Sequence, residues 1–165
     1  MVVSLVNESI ILPVFVRLKV LPIVNGSIVG SWLDAEWINV NPLFIRSFSE
    51  RDMVIYLDDG RIFRFDDSGL QALKSELYSV SDGSKDSRIV PSFIGLRAGP
   101  LTTPGSANHK GVINFNTNFI KFVNDKDLFL VIDDGKKFKI DEESLLAFKT
   151  AVYGDILFND KLGED

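Results

Sequence analysis

The chain has 165 residues, of which 45% are hydrophobic and 25% charged, so it can build the packed core of one domain or of two very small ones. Its formal charge of −5 argues against a basic footprint over the whole surface, which nucleic-acid-binding domains carry, and the absence of cysteine excludes disulfides, thiolate catalysis and cysteine-ligated zinc. Thirteen phenylalanines against two methionines favour a core of strands over a helical bundle.

The first 27 residues are predicted to form an N-terminal arm of one or two strands. Within the first 20 residues, the longest uncharged run, residues 9–16, is far shorter than the roughly 20 residues that cross a bilayer. The chain also starts without the positive charge or the small-residue cleavage site of a signal peptide. We therefore expect neither a membrane segment nor a leader. Two alternatives stay open: the arm packs into the core, or it faces a partner.

An internal duplication organises the rest of the chain. Residues 38–78 align with residues 113–153 at a constant offset of 75 without a gap, and 15 of the 41 positions are identical. Chance would give about two or three identities, so a repeated unit is the expected explanation.

The duplication is predicted to begin before residue 38. "IVGSWL" at 28–33 is similar to "IVPSFI" at 89–94, now at an offset of 61, which predicts a 14-residue insertion in the second copy. The insertion falls in a stretch rich in Gly, Pro, Thr and Ser, typical of a long loop. The predicted organisation is an arm (1–27), a first repeat (28–80), a polar linker (81–88), a second repeat (89–155) with an inserted loop (95–111), and an acidic tail (156–165).

Each repeat predicts the same local structure. In "IYLDDGRIFRF" (55–65) and "LVIDDGKKFKI" (130–140), Asp-Gly between two β-rich runs favours a tight hairpin turn. Asp66 and Asp141 then fit the N-cap of an amphipathic helix. The predicted fold class is α+β, with two tandem β-rich repeats of antiparallel strands, an Asp-Asp-Gly hairpin and a helix, related by a pseudo-twofold axis.

Residues with catalytic potential have simpler structural explanations. The acid pairs at 58–59 and 133–134 could hold a metal, but neighbours on a strand point to opposite sides and a turn explains them. His109, the only histidine, lies three residues from Ser106 in the predicted loop, which does not position a nucleophile and its base. We therefore predict no enzyme activity, no catalytic residue, no cofactor and no metal. A hydrolase built around His109 is the weaker alternative.

Basic residues on the repeated strands, beside Tyr56 and Phe129, offer a second hypothesis. A sheet face with cations and aromatic rings can contact phosphates and stack bases. Alternating lysine and arginine are also how exposed strands stay soluble, so a solvated face is the simpler interpretation. The residues of this alternative nucleic-acid face are Arg46, Arg61, Arg64, Lys121, Lys137 and Lys139.

Protein partners are the favoured expectation. In "MVIYL" (53–57) and "LFLVI" (128–132) apolar residues occupy both faces of the strand, so both sides must be covered. A helix covers one side only, and the arm, the sister repeat or another subunit must cover the other. We predict self-assembly or binding to another subunit through the arm and the inserted loop. The predicted partner-binding residues are Phe15, Arg17, Leu18, Val20, His109 and Lys110.

The pattern in "INVNPLFIRSFSERDMVIYLDDGRIFRFDDSGLQAL" (38–73), and its copy, resembles small strand-strand-helix repeat proteins of bacteria and bacteriophages, including small flagellar proteins. The resemblance covers both repeats but neither the arm nor the loop, and it transfers no catalytic residue. A cysteine-free, acidic, β-rich chain with an apolar N-terminal arm also looks like a bacteriophage virion component, such as a decoration, neck or tail protein, which implies a non-enzymatic structural or interaction role. The expected location is the virion or the host cytoplasm.

Overall fold

The structure, a computed structural model, describes residues 12–78, 88–89, 92–100 and 111–163. Eleven of the described strands form antiparallel ladders, and the short β1 and β8 pair in parallel. With two helices beside them, the fold is β-rich α+β, as predicted. The strands are β1 (Leu12–Pro13), β2 (Val16–Val24), β3 (Ser27–Ile28), β4 (Glu36–Val40), β5 (Ile45–Ser49), β6 (Val54–Leu57), β7 (Ile62–Phe65), β8 (Arg88–Ile89), β9 (Phe93–Pro100), β10 (Gly111–Asn116), β11 (Ile120–Asn124), β12 (Phe129–Ile132) and β13 (Lys137–Ile140).

The two helices are α1 (Asp67–Tyr78) and α2 (Glu142–Gly163). Helix α2 is interrupted at Gly154, whose φ of 50° and ψ of −130° are not helical. The chain divides into two compact units. Unit 1 comprises Met1–Arg46 and Asp52–Phe93, and unit 2 comprises Ser47–Arg51 and Ile94–Asp165.

Unit 1 is built around β2, which is hydrogen-bonded on one edge to β7 and on the other to β4, with β3 at its end. The alternation in "VRLKV" sends Val16, Leu18 and Val20 into the core and leaves Arg17 exposed. Helix α1 packs on this strand. The Cα of Gly69 lies so close to β2 that a Cβ there would come within 3.4 Å of the Leu18 side chain.

The predicted arm is therefore corrected. Residues 16–24 form β2, the central strand of unit 1, which pairs with β4 and β7 and sends side chains into the core. The side chains of Leu18 and Val20 are completely buried, so these two predicted partner-binding residues are withdrawn. Of the two alternatives left open by the sequence, the described part of the arm follows the first: it packs into the core.

Unit 2 has the same kind of ladder. β13 pairs with β12 on one edge and with β9 on the other, and β9 is also the neighbour of β10. Its core includes Leu96, Phe115, Leu130 and Ile140, and the Phe115 ring meets Phe138 edge-on with the ring centroids 5.1 Å apart.

The predicted inserted loop is also corrected, since its first residues form the end of β9. Ala98 lies opposite Ile140 and Pro100 opposite Phe138 in a regular antiparallel ladder. Gly95 to Pro100 are therefore strand, not loop. Residues 101–110, with the predicted partner-binding residues His109 and Lys110, lie outside the described residues.

The ladder registers change the alignment of the two halves. β2 places Val20 opposite Phe65, and β9 places Ala98 opposite Ile140, the residue 75 positions after Phe65. By ladder position, residues 16–22 match 94–100 at an offset of 78, whereas "IVGSWL" and "IVPSFI" match at an offset of 61.

The turns between β6 and β7 and between β12 and β13 have the same geometry. Gly60 and Gly135 have φ of 93° and 92°, a region that a residue with a Cβ rarely adopts. Each glycine N–H donates to the carbonyl three residues earlier, that of Leu57 at 3.1 Å or of Ile132 at 2.9 Å.

Both helices start at an aspartate cap. One carboxylate oxygen of Asp66 accepts a hydrogen bond from the Gly69 N–H at 2.9 Å, and Asp141 accepts one from the Ser144 N–H at 2.8 Å. These bonds satisfy amides that have no partner within the helix.

Replacing either cap is expected to destabilise the protein. Asp66→Ala and Asp141→Ala should each lower the free energy of unfolding by about 1 kcal/mol, because an N-terminal amide loses its acceptor. Asp66→Asn and Asp141→Asn keep an acceptor oxygen and should retain most of the stability. Denaturant unfolding followed by circular dichroism measures the four variants, and equal losses in the alanine and asparagine variants would contradict the capping role.

Candidate interaction surface

Large exposed hydrophobic side chains concentrate in unit 1 between β2 and β4. We call residues 24–37 the apolar connection. Asn25 and Gly26, with φ of 52° and 82°, turn the chain from β2 into β3, and a short 3-10 turn at Trp32–Asp34 leads to β4. Leu33 is 97% exposed. The exposed large hydrophobic residues of the apolar connection are Val24, Ile28, Val29, Trp32, Leu33 and Trp37.

The outer face of β2 and β4 continues this surface. Phe15, just before β2, is about half exposed, as is Trp37 on β4. The guanidinium of Arg17 lies over the Trp37 ring, 4.6 Å from its centroid. This cation–π contact orients the indole and keeps an aromatic face and a positive charge together at the surface. Phe15 and Arg17, two of the predicted partner-binding residues, are therefore accessible to a partner.

The six residues of the alternative nucleic-acid face fall into two groups, with the arginines in unit 1 and the lysines in unit 2. Two of the arginines are already engaged. Arg46 donates through Nη1 to the Leu57 carbonyl at 3.3 Å, and Arg61 forms an exposed ion pair with Asp59, also at 3.3 Å. Arg64 is half-buried on β7.

The lysines of unit 2 lie near aromatic rings. The Lys137 ammonium is 5.3 Å from the centroid of the Phe129 ring, and the ring of Phe122 meets Phe129 edge-on at 5.9 Å. Lys121 is exposed and Lys139 is half-buried opposite Phe129. Unit 2 thus carries a small aromatic and cationic group on β11, β12 and β13.

The paired acids have local hydrogen bonds. A carboxylate oxygen of Asp59 accepts from the Arg61 N–H, and one of Asp134 accepts from the Lys136 N–H, both at 3.0 Å. These bonds tie each carboxylate to its own turn. Among the residues that the structure describes, no group of three or more His, Cys, Asp or Glu side chains could hold a metal ion.

One titratable side chain in unit 1 is perturbed. Burial, with a smaller contribution from the Asp52 carboxylate, raises the pKa of Tyr56 above its ordinary value. The phenol therefore stays neutral to higher pH than a free tyrosine, and it is not poised for proton transfer near pH 7. Within the described ranges, no helix is long and apolar enough to cross a membrane.

Comparisons with protein-family models, with curated proteins and with solved structures gave no match for this chain. The surface that the structure reveals was missed in the sequence because "VNGSIVGSWLDAEW" (24–37) follows neither a strand nor a helix period. The only available signal was a cluster of apolar residues beside turn-forming Asn-Gly and Gly-Ser pairs.

Alanine substitutions at two leucines of unit 1 test directly whether the apolar connection is exposed to solvent. Leu18→Ala should lower the free energy of unfolding by about 2–5 kcal/mol, since it leaves a cavity under α1. Leu33→Ala should change it by less than about 0.5 kcal/mol, because the side chain is in solvent. Denaturant unfolding of both variants measures the difference. Similar losses at the two positions would show that the apolar connection is buried in the monomer.

Proposed function

We propose that the protein is a non-enzymatic structural subunit that works in a larger protein assembly. The observation that carries this proposal is the apolar connection, where six large hydrophobic side chains are exposed within 14 residues. Exposed apolar surface costs free energy in water, and its concentration in one place is typical of a protein interaction site.

We further propose that the chain arose by duplication of one unit of strands, a hairpin and a helix. The Asp-Asp-Gly turns, the positive-φ glycines and the aspartate caps recur 75 residues apart with the same hydrogen bonds. Met53 and Leu128, also 75 apart, share a φ of 58°, which a non-glycine residue adopts only under local constraint. Independent convergence on all of these features is a poorer explanation than duplication.

The setting proposed for the assembly is a bacteriophage particle. Its support is the resemblance of the repeated pattern to small repeat proteins of bacteria and bacteriophages. A self-associating, β-rich subunit with an exposed apolar segment suits such a particle, in which many copies of one chain contact one another.

The proposal predicts self-association that depends on the apolar connection. Sedimentation analysis of the full chain over rising concentration should show species larger than the monomer. Leu33→Asp should weaken this association by roughly tenfold or more, because burying a leucine contributes about 1.5–3 kcal/mol. Leu146→Asp, at an exposed leucine of α2, is the matched control and should leave association unchanged. A chain that stays monomeric throughout would overturn the proposed self-assembly.

Nucleic-acid binding by unit 2 is the second candidate, supported by the group of Phe122, Phe129 and Lys137. Retention of single-stranded DNA or RNA should fall steeply with salt, since binding by cations releases counterions from the phosphates. Lys137→Gln should weaken retention and lower the salt slope, while Lys74→Gln, on α1 of unit 1, serves as the control. Absence of retention at low salt would end this candidate.

A further inference from the structure

The ladder between β10 and β5 shows how two strand edges of this fold pair with each other. Within unit 2, Ile113 lies opposite Ser49, Asn114 opposite Phe48, and Phe115 opposite Ser47. At the end of the ladder, the Glu50 N–H donates to the Val112 carbonyl at 2.9 Å. The Asn114 amide also donates to the Glu50 carboxylate at 2.9 Å.

The counterparts of these two strands, at the offset of 75, are β4 and β11. β4 corresponds to β10 and β11 corresponds to β5, residue by residue. Among the described strands, β4 is paired only with β2 and β11 only with β12, so each has an open edge. Burial differs accordingly. Asn114 is 2% exposed, but its counterpart Asn39 on β4 is exposed. In the same way Ser47 is 4% exposed, but its counterpart Phe122 on β11 is 50% exposed.

We propose that β4 of one copy pairs antiparallel with β11 of a second copy, in the register of the β10–β5 ladder. Ile38 then lies opposite Asn124, Asn39 opposite Val123, and Val40 opposite Phe122. This inference rests on the proposed role as an assembly subunit and names the partner and the contact. It adds a strand-to-strand contact to the association through the apolar connection.

Backbone parity identifies the hydrogen bonds that the contact makes. In an antiparallel ladder the hydrogen-bonded pairs alternate along the strand. Because Glu50 bonds to Val112, its counterpart Asp125 donates its N–H to the carbonyl of Trp37. Asn39 and Val123, two residues further along, form the next hydrogen-bonded pair.

The side chains along the two open edges are complementary. Asn39 and Asp125 reproduce the amide and carboxylate of the bonded pair Asn114 and Glu50. One position further, Glu36 of β4 faces Lys126, which follows β11, so opposite charges meet across the strands. In unit 2 the corresponding pair is Gly111 against the Arg51 side chain, where a Cβ on the glycine would lie 2.7 Å from the Arg51 Cβ.

The contact is heterologous, because the two edges belong to different strands. Each copy offers one β4 edge and one β11 edge, so a third copy can add to the pair in the same way. Copies joined in this manner form a closed ring or an open chain according to the rotation between neighbours.

The first experiment removes a single donor. Asp125→Pro lacks the N–H that bonds to Trp37, and Asp125 follows Asn124 as the second residue of a turn, where proline is accepted. Asp125→Ala keeps the N–H and is the control. Both variants lose the carboxylate and its ion pair with Lys149 at 2.9 Å, so only the N–H differs between them. We expect sedimentation to show at least roughly tenfold weaker association for Asp125→Pro than for Asp125→Ala.

The outcomes separate the two proposals. If Asp125→Pro associates as Asp125→Ala does, while Leu33→Asp still weakens association, edge pairing fails and the assembly role stands. If the unaltered chain is monomeric, both fail. Matching circular dichroism spectra of the proline and alanine variants show that any difference in association does not come from loss of fold.

The second experiment tests that the contact joins two copies. Glu36→Lys places like charges across the contact, and so does Lys126→Glu, so each variant alone should associate roughly fivefold more weakly. Mixing the two variants should restore association, because the new lysine of one copy meets the new glutamate of the other. A mixture that associates no better than its components would overturn the proposal, as would pairing of the two edges inside a single chain.

Discussion

Each unit depends on one strand that is hydrogen-bonded along both edges and covered by a helix. In unit 1 this strand is β2, and in unit 2 it is β9. Leu18 and Leu96 occupy matching positions on the two strands, and both are buried almost completely. In unit 1, β2 pairs with β4 through Val16–Val20 and with β7 through Val20–Ile23, so its two neighbours in the sheet are placed by it.

The contact between the helix and the central strand differs between the two units. In unit 1, Gly69 faces the Leu18 side chain. A Cβ at this position would lie only 3.1 Å from the Phe65 Cβ, so the absence of a side chain lets α1 approach β2 closely. In unit 2 the matching residue is Ser144, whose hydroxyl accepts a hydrogen bond from the Arg97 N–H of β9 at 2.8 Å. One contact gains from close apolar packing and the other from a partly buried hydrogen bond.

Local signals in the sequence were sufficient for the β-rich α+β class and its two helices. Asp-Asp-Gly requires only that a glycine take up a positive φ, and an aspartate cap requires only an amide three residues away. β2 and β9 were harder to match, because residues 15–22 and 93–100 share three identities in eight positions, Phe15/Phe93, Leu18/Leu96 and Pro22/Pro100. Their equivalence follows from pairing with distant strands, which no short window contains. The alternation of Val16, Leu18 and Val20 was nevertheless a readable sign that the predicted arm is core.

Under the proposed duplication, the β10–β5 ladder has a consequence for a protein made of one half. β5 lies in the first half of the sequence and β10 in the second. The compact unit that contains β10 therefore also contains Ser47–Arg51, a segment of the first half. In a protein made of a single such half, the β5 equivalent of each copy would have to pair with the β10 equivalent of another copy. On the proposed duplication, joining two halves would make one of these exchanges permanent inside the chain. It would also make that exchange independent of protein concentration, because tethered strands meet at a fixed effective concentration.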